Sequence, residues 1–364
     1  MKSYLFDINH PAQVHLLKNI INAFSDNGVK TFVTLKELPD ALTLLNLYSI
    51  HYLTLGKKSD SIIGKTINQL QYDYKLYRIV NKYNITLGVG SSITVDHVSR
   101  FSKMTSLHLS DDDEDVVPLV KKYSYPYTNC ILTPDCLDLP SYRNKQIKYA
   151  GYHELAYLHP NRFTPDKSVL SELGVGENDH FYILRFNQFK AHHDSGKSGL
   201  PLEKQRTLIR LLEDKGRIFI TTEGLIRPEL KKYQLKISPE KIHSVLYYAR
   251  MFIGDSQTMT SEAAVLGTPS FKCNSFAGIL SIPNELEKKY GLCYSYLPHK
   301  FDEFISHINS VLSDNNIKEK WMVKREKMLN DKIDTTAFLV WFIKEYPDSF
   351  QVMKNNSDYQ YTFK

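Results

Sequence analysis

Short apolar runs alternate with longer segments of helical periodicity along most of the chain. Between the runs 4–8 and 29–34, for example, apolar side chains recur at helical spacing from Val14 to Phe24. The runs that predict strands are 4–8, 29–34, 51–55, 85–90, 105–109, 129–133, 180–186, 217–222, 251–253, 270–274 and 291–294. Because strands separated by helices pack as parallel sheets covered on both faces, the pattern predicts an α/β fold of doubly wound parallel sheets.

A polar stretch with two prolines at 159–165 interrupts this alternation and is typical of a linker. The length of 364 residues also exceeds the usual size of one domain. We therefore predict a Rossmann-like domain at 1–160, a second at 161–335, and a C-terminal helix with a polar tail at 336–364. The residues from Gln351 onward are predicted to be loose.

Composition narrows the classes of partner. The chain has 46 Lys and Arg against 40 Asp and Glu, a net charge of +6. These charges are dispersed, and no zinc-finger, RNP-type or arginine-rich signature accompanies them, so we expect no nucleic-acid partner. A shallow positive field suits an anionic small molecule or a membrane surface.

The cellular compartment is predicted from segments that the sequence lacks. Four cysteines without CxxC spacing indicate neither a disulfide framework nor a zinc site. No signal-peptide pattern and no apolar stretch of membrane-spanning length is present. We expect a cytoplasmic protein, and peripheral contact with the inner membrane surface stays open.

The stretch from Gly254 to Pro269 has the pattern of a strand end, a polar turn and a helix. Unpaired N–H groups at the start of that helix, with the hydroxyls of Ser256, Thr258 and Thr260, predict a phosphate pocket. Glu262 follows Ser256 by six residues, and its carboxylate is placed to reach the hydroxyls of a ribose. The alternative is an ordinary helix that Ser256 caps, with Glu262 as a surface acid.

Five consecutive acids, 111–115, follow the predicted strand 105–109. One interpretation is a helix start, where the macrodipole favours negative charge. The other is a general base at Asp111 or Asp112, because mutual repulsion raises the pKa of some of these carboxyls. Adjacent acids on one short segment do not define a coordination shell, so we expect no metal. A second cluster, 192–194, is His-His-Asp and is expected to be a solvated loop.

Four segments together resemble a known family: 7–15 (DINHPAQVH), 111–114 (DDDE), 151–158 (GYHELAYL) and 254–269. The chain is most similar to the family carried as domain of unknown function number 354, related to UDP-N-acetylglucosamine 2-epimerases and MurG-like transferases. This resemblance implies the GT-B architecture, in which two Rossmann-like domains face each other across a cleft. From the first segment to the last, the resemblance runs from residue 7 to residue 269, which is most of the chain.

The resemblance also implies roles for individual residues. Ser256 and Glu262 keep the epimerase spacing of a diphosphate contact and a ribose contact, while Gln257 and Thr258 replace two glycines of that motif. Arg185 is similar in place to basic residues that face the diphosphate, and His10 is expected to face the cleft. The acidic loop stands where the epimerases carry a catalytic Glu. GT-B enzymes bind the nucleotide without an essential metal, so no cofactor is expected. The nucleotide sugar is expected as substrate, with UDP as the expected nucleotide.

Three functions remain open from the sequence. The first is a nucleotide-sugar-dependent glycosyltransferase that modifies a surface polysaccharide or a lipid-linked acceptor, with Asp112, His10 or Asp111 in the acid–base role. The second keeps the fold and makes the protein an epimerase or hydrolase of the nucleotide sugar. The third is a non-catalytic protein that binds nucleotide sugars or glycans.

Overall fold

A computed structural model of the chain describes residues 2–57, 62–186, 200–222 and 226–364. These residues form two compact units, of which unit 1 contains the chain up to Arg162 together with Lys332–Lys364, and unit 2 contains Phe163–Asp331. The division differs from the predicted one because the C-terminal segment belongs to unit 1. Among the described residues, no helix is both long and apolar enough to cross a membrane.

Unit 1 is built on a seven-stranded sheet in which every neighbouring pair is parallel. Its strands are β1 (Ser3–Ile8), β2 (Lys30–Glu37), β3 (Leu53–Lys57), β4 (Leu87–Gly90), β5 (Thr105–Leu109), β6 (Cys130–Pro134) and β7 (Gln146–Tyr149). The helices of this part are α1 (Pro11–Asp26), α2 (Pro39–Leu47), α3 (Ile62–Tyr83), α4 (Ile93–Phe101), α5 (Pro118–Tyr123) and α6 (Leu155–Leu158).

The strand order of this sheet is β3-β2-β1-β4-β5-β6-β7, so the chain changes direction across the sheet between β1 and β4. Loops at such a switch point diverge and leave a crevice beyond the carboxyl ends of the strands. Gly90 closes β4 opposite Asp7, where a Cβ would lie 2.8 Å from the Asp7 carbonyl oxygen. Only glycine permits this close approach of β4 to β1.

Unit 2 has a smaller parallel sheet of five strands. The strands are β8 (Phe181–Phe186), β9 (Arg217–Thr222), β10 (Met251–Gly254), β11 (Ser270–Cys273) and β12 (Cys293–Tyr296). The helices are α7 (Ser168–Glu172), α8 (Leu202–Leu212), α9 (Ile242–Tyr248), α10 (Gln257–Val265), α11 (Ser281–Lys288), α12 (Phe301–Leu312) and α13 (Ile317–Asp331).

The order β12-β11-β10-β8-β9 places the switch point of unit 2 between β8 and β10. Gly254 ends β10 opposite Arg185, where a Cβ would lie 2.4 Å from the Arg185 carbonyl oxygen. Each unit therefore has a glycine at the end of the strand that follows its switch point. The polar turn predicted to bind phosphate begins directly after this second glycine.

The C-terminal segment packs against unit 1 and is not a loose tail. It forms α14 (Thr335–Lys344), α15 (Asp348–Asn355) and a 3-10 helix, Ser357–Phe363. The Ala150 N–H donates to Gln360 Oε1 over 2.5 Å, and the Asp334 N–H donates to the Phe363 carbonyl over 2.8 Å. The prediction failed because the polar composition of the segment hid a few aromatic anchors, such as Phe363 on Trp341 with ring centroids 5.2 Å apart.

Candidate active site

In unit 1, His10 lies just past the carboxyl end of β1 and begins α1. The His10 Nδ1 accepts a hydrogen bond from the Ala12 N–H over 3.2 Å, so the ring caps the helix. An accepting Nδ1 leaves the proton on Nε2, the other ring nitrogen. The ring is exposed, and when it takes up a second proton its positive charge lowers the pKa of Asp111.

Asp111 follows β5 and contacts a histidine from the far end of the sheet. Its Oδ2 lies 3.2 Å from Nδ1 of His153, which belongs to the loop between β7 and α6. Burial disfavours both charges, but the attraction between them holds the pKa of Asp111 below and that of His153 above their ordinary values. This attraction favours the ion-pair form of the two residues.

His153 also has a second ring nitrogen that no described residue satisfies. The residue is only 8% exposed, and its Nε2 is buried without a hydrogen-bond partner among the described residues. A protonated imidazole donates from both nitrogens, and leaving one buried donor unpaired is unfavourable. A ligand hydroxyl or oxyanion would satisfy it.

Asp112 differs from Asp111 in its protonation. Partial desolvation, together with the negative charges of Asp111 and Asp113, raises the pKa of Asp112 to about 7. Its side chain is exposed, so a ligand can reach the carboxyl. Two neighbouring carboxyls whose pKa values are pushed apart suit an acid–base pair.

The other acids of the loop are structural or solvent-facing. Glu114 is buried and accepts hydrogen bonds from Lys121 over 2.8 Å and Ser141 over 3.3 Å. Asp115 has a side chain that is 92% exposed. The helix-start interpretation does not describe this loop, because α5 begins only at Pro118 and has no acid in its first turn.

In unit 2, the turn after β10 caps α10 as the simpler interpretation predicts. Ser256 Oγ accepts from the Met259 N–H over 3.5 Å, and Thr260 Oγ1 donates to the Ser256 carbonyl over 2.6 Å. Gln257 and Thr258 occupy the first turn of the helix and are half-buried. The N–H groups of this turn remain the source of positive potential at the switch point.

Arg185 lies near the end of β8, beside this turn. Its backbone pairs in register with Gly254 and Thr221, and its Nη1 donates to Thr221 Oγ1 over 2.9 Å. The Asp255 N–H donates to the Arg185 carbonyl over 3.2 Å. The structure therefore brings Arg185 to the same strand ends as the Ser256 turn.

Glu262 is not a surface acid. It is 5% exposed, and its Oε1 lies 3.0 Å from Nε2 of His243 on α9, itself 3% exposed. Any contact with a ribose would be made by a carboxylate that already holds this histidine. The ligand roles predicted for Glu262 and for the Ser256 turn remain predictions.

Sequence reasoning missed Lys272, a fully buried lysine on β11. Its ammonium donates to Gln257 Oε1, and among the described residues no carboxylate oxygen lies within 4.0 Å of it. Burial lowers the pKa of Lys272 to about 8. The sequence feature that could have pointed to Lys272 is its charge, which stands between the apolar residues Phe271 and Cys273 of a predicted buried strand.

The structure thus brings together two groups of predicted residues. His10, Asp111 and Asp112 meet in unit 1, and they are joined by His153 of the motif 151–158, for which no catalytic role was predicted. Arg185, Ser256, Gln257 and Thr258 meet in unit 2, with Lys272 added. The predicted solvated loop at 192–194 lies outside the described residues.

Comparison with known proteins establishes the family. Residues 3–337 match the family described as protein of unknown function (DUF354). The chain belongs to this family. A relative, the uncharacterized protein MJ0665 of Methanocaldococcus jannaschii, is 19% identical over 277 residues, covering 73% of this chain and 80% of the relative.

Solved structures establish the fold of this DUF354 protein. The UDP-N-acetylglucosamine 2-epimerase of Neisseria meningitidis, bound to UDP-GlcNAc, is similar with a TM-score of 0.63 and 12% identity over 94% of this chain and 99% of its own. MnaA of S. aureus, solved with UDP, is similar with a TM-score of 0.68 and 10% identity over 96% of this chain and 98% of its own. The spinosyn forosaminyltransferase SpnP is similar with a TM-score of 0.65 and 13% identity over 95% of this chain and 100% of its own. The predicted fold of two Rossmann-like, parallel-sheet α/β units, as in GT-B enzymes, and the predicted family are confirmed.

Proposed function

We propose that this DUF354 protein is a nucleotide-sugar-dependent glycosyltransferase, acting in the synthesis of a surface polysaccharide or glycolipid. The observation that carries the proposal is the group formed by Asp111, Asp112 and His153, with one carboxyl of raised pKa beside an ion pair. The fold supports it, since similar structures include a glycosyltransferase and proteins solved with UDP or UDP-GlcNAc.

Unit 2 is assigned the nucleotide. The first-turn N–H groups of α10 and the Arg185 guanidinium would neutralise the diphosphate, and Glu262 would accept hydrogen bonds from ribose hydroxyls. An ammonium only donates, so the Gln257 atom that faces Lys272 is the carbonyl oxygen. The amide N–H₂ of Gln257 then points away from Lys272 and is available to a phosphate oxygen.

Unit 1 is assigned the acid–base chemistry. Ionised Asp112 removes the proton from an acceptor hydroxyl, whose oxygen forms a bond to the anomeric carbon of the sugar. The bond from that carbon to the diphosphate breaks, and its electron pair leaves with the nucleotide. The Nε2–H of His153 and the exposed His10 ring would bind substrate hydroxyls or developing negative charge.

A pKa of about 7 suits this role, because a base is most effective when its pKa lies near the working pH. The pair between Asp111 and His153 keeps Asp111 ionised, and that negative charge helps to hold the pKa of Asp112 high. Asp111 therefore acts on the base through its charge. No metal takes part in this scheme.

An epimerase or hydrolase of the nucleotide sugar is the second candidate. Such a reaction needs groups that donate and accept protons at one sugar, and two acids with separated pKa values beside a histidine of raised pKa meet that need. The roles proposed for the nucleotide site in unit 2 are the same for both candidates. The two candidate functions differ in whether a second substrate, the glycan or lipid-linked acceptor, is required.

Proton NMR of the protein with a panel of nucleotide sugars, with and without acceptors, separates these functions. A new glycoside signal that requires acceptor indicates transfer, whereas a new epimer or free sugar without acceptor indicates the second candidate. We expect Asp112→Asn to lower turnover by about 10² or more while nucleotide affinity is kept.

Asp115→Asn is the matched control, because it removes an acid of the same loop whose side chain is 92% exposed. It should leave turnover unchanged. Binding of a nucleotide sugar without any turnover, in the wild type and in both variants, would refute the enzyme proposal and favour a binding protein.

A further inference from the structure

Unit 1 has an open groove of about 630 Å³ between α3, α4 and the segment that leads into β6. Its walls are mainly apolar and aromatic and include Leu70, Tyr74, Tyr77, Val98, Phe101 and Tyr127. Five of these six are exposed, the largest fractions being 76% for Phe101 and 67% for Leu70. A contiguous exposed apolar surface of this kind marks an interaction site, whereas scattered apolar residues do not.

Helix α3 carries two apolar stripes, and the core uses only one of them. Tyr72, Leu76 and Val80 are buried and pack in the core of the unit. Leu70, Tyr74 and Tyr77 repeat at the same helical spacing and point outward, with Tyr74 63% exposed. A helix that needs only to cover a sheet is polar on its outer face. The second stripe therefore requires a partner outside the unit.

The surroundings of the groove are positively charged. Residues 64–103 contain six lysines and arginines but only two acids. Asp96 is buried against His108, and Asp73 is held by His97 over 2.9 Å, so neither offers a free negative charge to the surface. Exposed cations on this segment include Arg78, Lys82, Arg100 and Lys103, and Lys122 is exposed on α5.

We propose that this face of unit 1 docks on an anionic phospholipid bilayer. Phe101 and Leu70 would enter the acyl boundary, and the tyrosine rings would lie at the headgroup level, where an amphipathic ring is most favourable. The surrounding lysines and arginines would contact lipid phosphates. The charge excess selects an anionic membrane over a neutral apolar partner, and the surface does not depend on the proposed enzymatic reaction.

Co-sedimentation of the full chain with vesicles tests the proposal. We expect binding to vesicles that mix phosphatidylglycerol with phosphatidylcholine, weak binding to phosphatidylcholine alone, and release by salt. The double variant Leu70→Ser/Phe101→Ser should weaken binding at least tenfold. The double variant Arg78→Gln/Lys103→Gln should weaken it by about fivefold for each charge removed.

Val323→Ser is the matched control, because Val323 is 71% exposed on unit 2 and should not affect vesicle binding. All of these side chains are exposed, so thermal unfolding of each variant should match the wild type. Equal binding of wild type and the Leu70/Phe101 variant, or no binding to anionic vesicles, would overturn the proposal. So would self-association in sedimentation velocity that the same variant abolishes, since the face would then join two copies of the chain.

Discussion

Replacing Lys272 with methionine removes the buried positive charge next to Gln257 while keeping the length of the side chain. The ammonium is fully buried on β11, and its pKa is lowered from 10.5 to about 8 by desolvation. A shift of that size means that holding the charge in the folded protein at pH 7 costs about 3 kcal/mol relative to water. Because no carboxylate offsets this cost, stability does not explain why the protein has a lysine at this position.

Lys272→Met should therefore be more stable than the wild type at neutral pH. Loss of the hydrogen bond to Gln257, worth about 1 kcal/mol, leaves a net gain of about 2 kcal/mol. For a unit of this size the gain corresponds to an increase in Tm of about 4–8 °C. Between pH 8 and 10.5 the unfolded chain binds more protons than the folded one, so wild-type stability rises with pH. The advantage of the variant should narrow by about 1 kcal/mol from pH 7 to pH 9.

The same variant should bind UDP more weakly, because Gln257 loses the group that orients its amide. Calorimetric titration with UDP and chemical unfolding at both pH values give the two readouts. Lys318→Met is the matched control, because burial lowers the pKa of Lys318 to about 8 as well, and its Nζ donates to the Tyr247 carbonyl over 2.6 Å. It should show a similar pH dependence of stability and unchanged UDP affinity.

A Lys272→Met protein that is less stable than the wild type at pH 7 would refute the reasoning about the buried charge. If both lysine variants bound UDP as the wild type does, the charge would be costly but unconnected to a ligand. Equal weakening of UDP binding by both would indicate a general loss of structure in unit 2.

Further results are expected for the acidic loop and for Glu262. The acidic limb of the pH profile of kcat/KM should lie near pH 7, with about a tenth of the plateau value at pH 6, because Asp112 must be ionised. Asp111→Asn should move this limb to lower pH, because it removes a negative charge next to Asp112. A limb that does not move would exclude Asp112 as the base. Glu262→Ala should lower the free energy of unfolding by about 2 kcal/mol, because buried His243 loses its hydrogen bond to the Glu262 carboxylate, whereas Glu262→Gln should stay within about 1 kcal/mol. Both Glu262 variants should bind UDP more weakly, and unchanged affinity in Glu262→Gln, measured by calorimetry, would argue against the ribose contact.

The sheets were predictable from the sequence because their strands are buried on both sides. A parallel strand covered by helices is apolar along its whole length, as in β10, where all four residues are buried. The contact of Lys272 could not be predicted in the same way. An apolar pattern indicates that a strand is buried, but it does not indicate which polar group a long side chain on that strand contacts. The C-terminal segment was mispredicted for the opposite reason, because its few aromatic anchors are diluted among polar residues.

The alternation of apolar runs and helices by itself determined two parallel sheets, because strand and helix periodicity are local properties of the chain. With the glycine-containing turns it also placed His10, the acidic loop, Arg185 and the Ser256 turn at strand ends. Only the tertiary structure decided which groups meet and in what protonation state. His153 joins Asp111 from the far end of the sheet, and Glu262 turns inward to His243. Contacts between residues distant in sequence, and the desolvation that shifts a pKa, arise only when the elements pack.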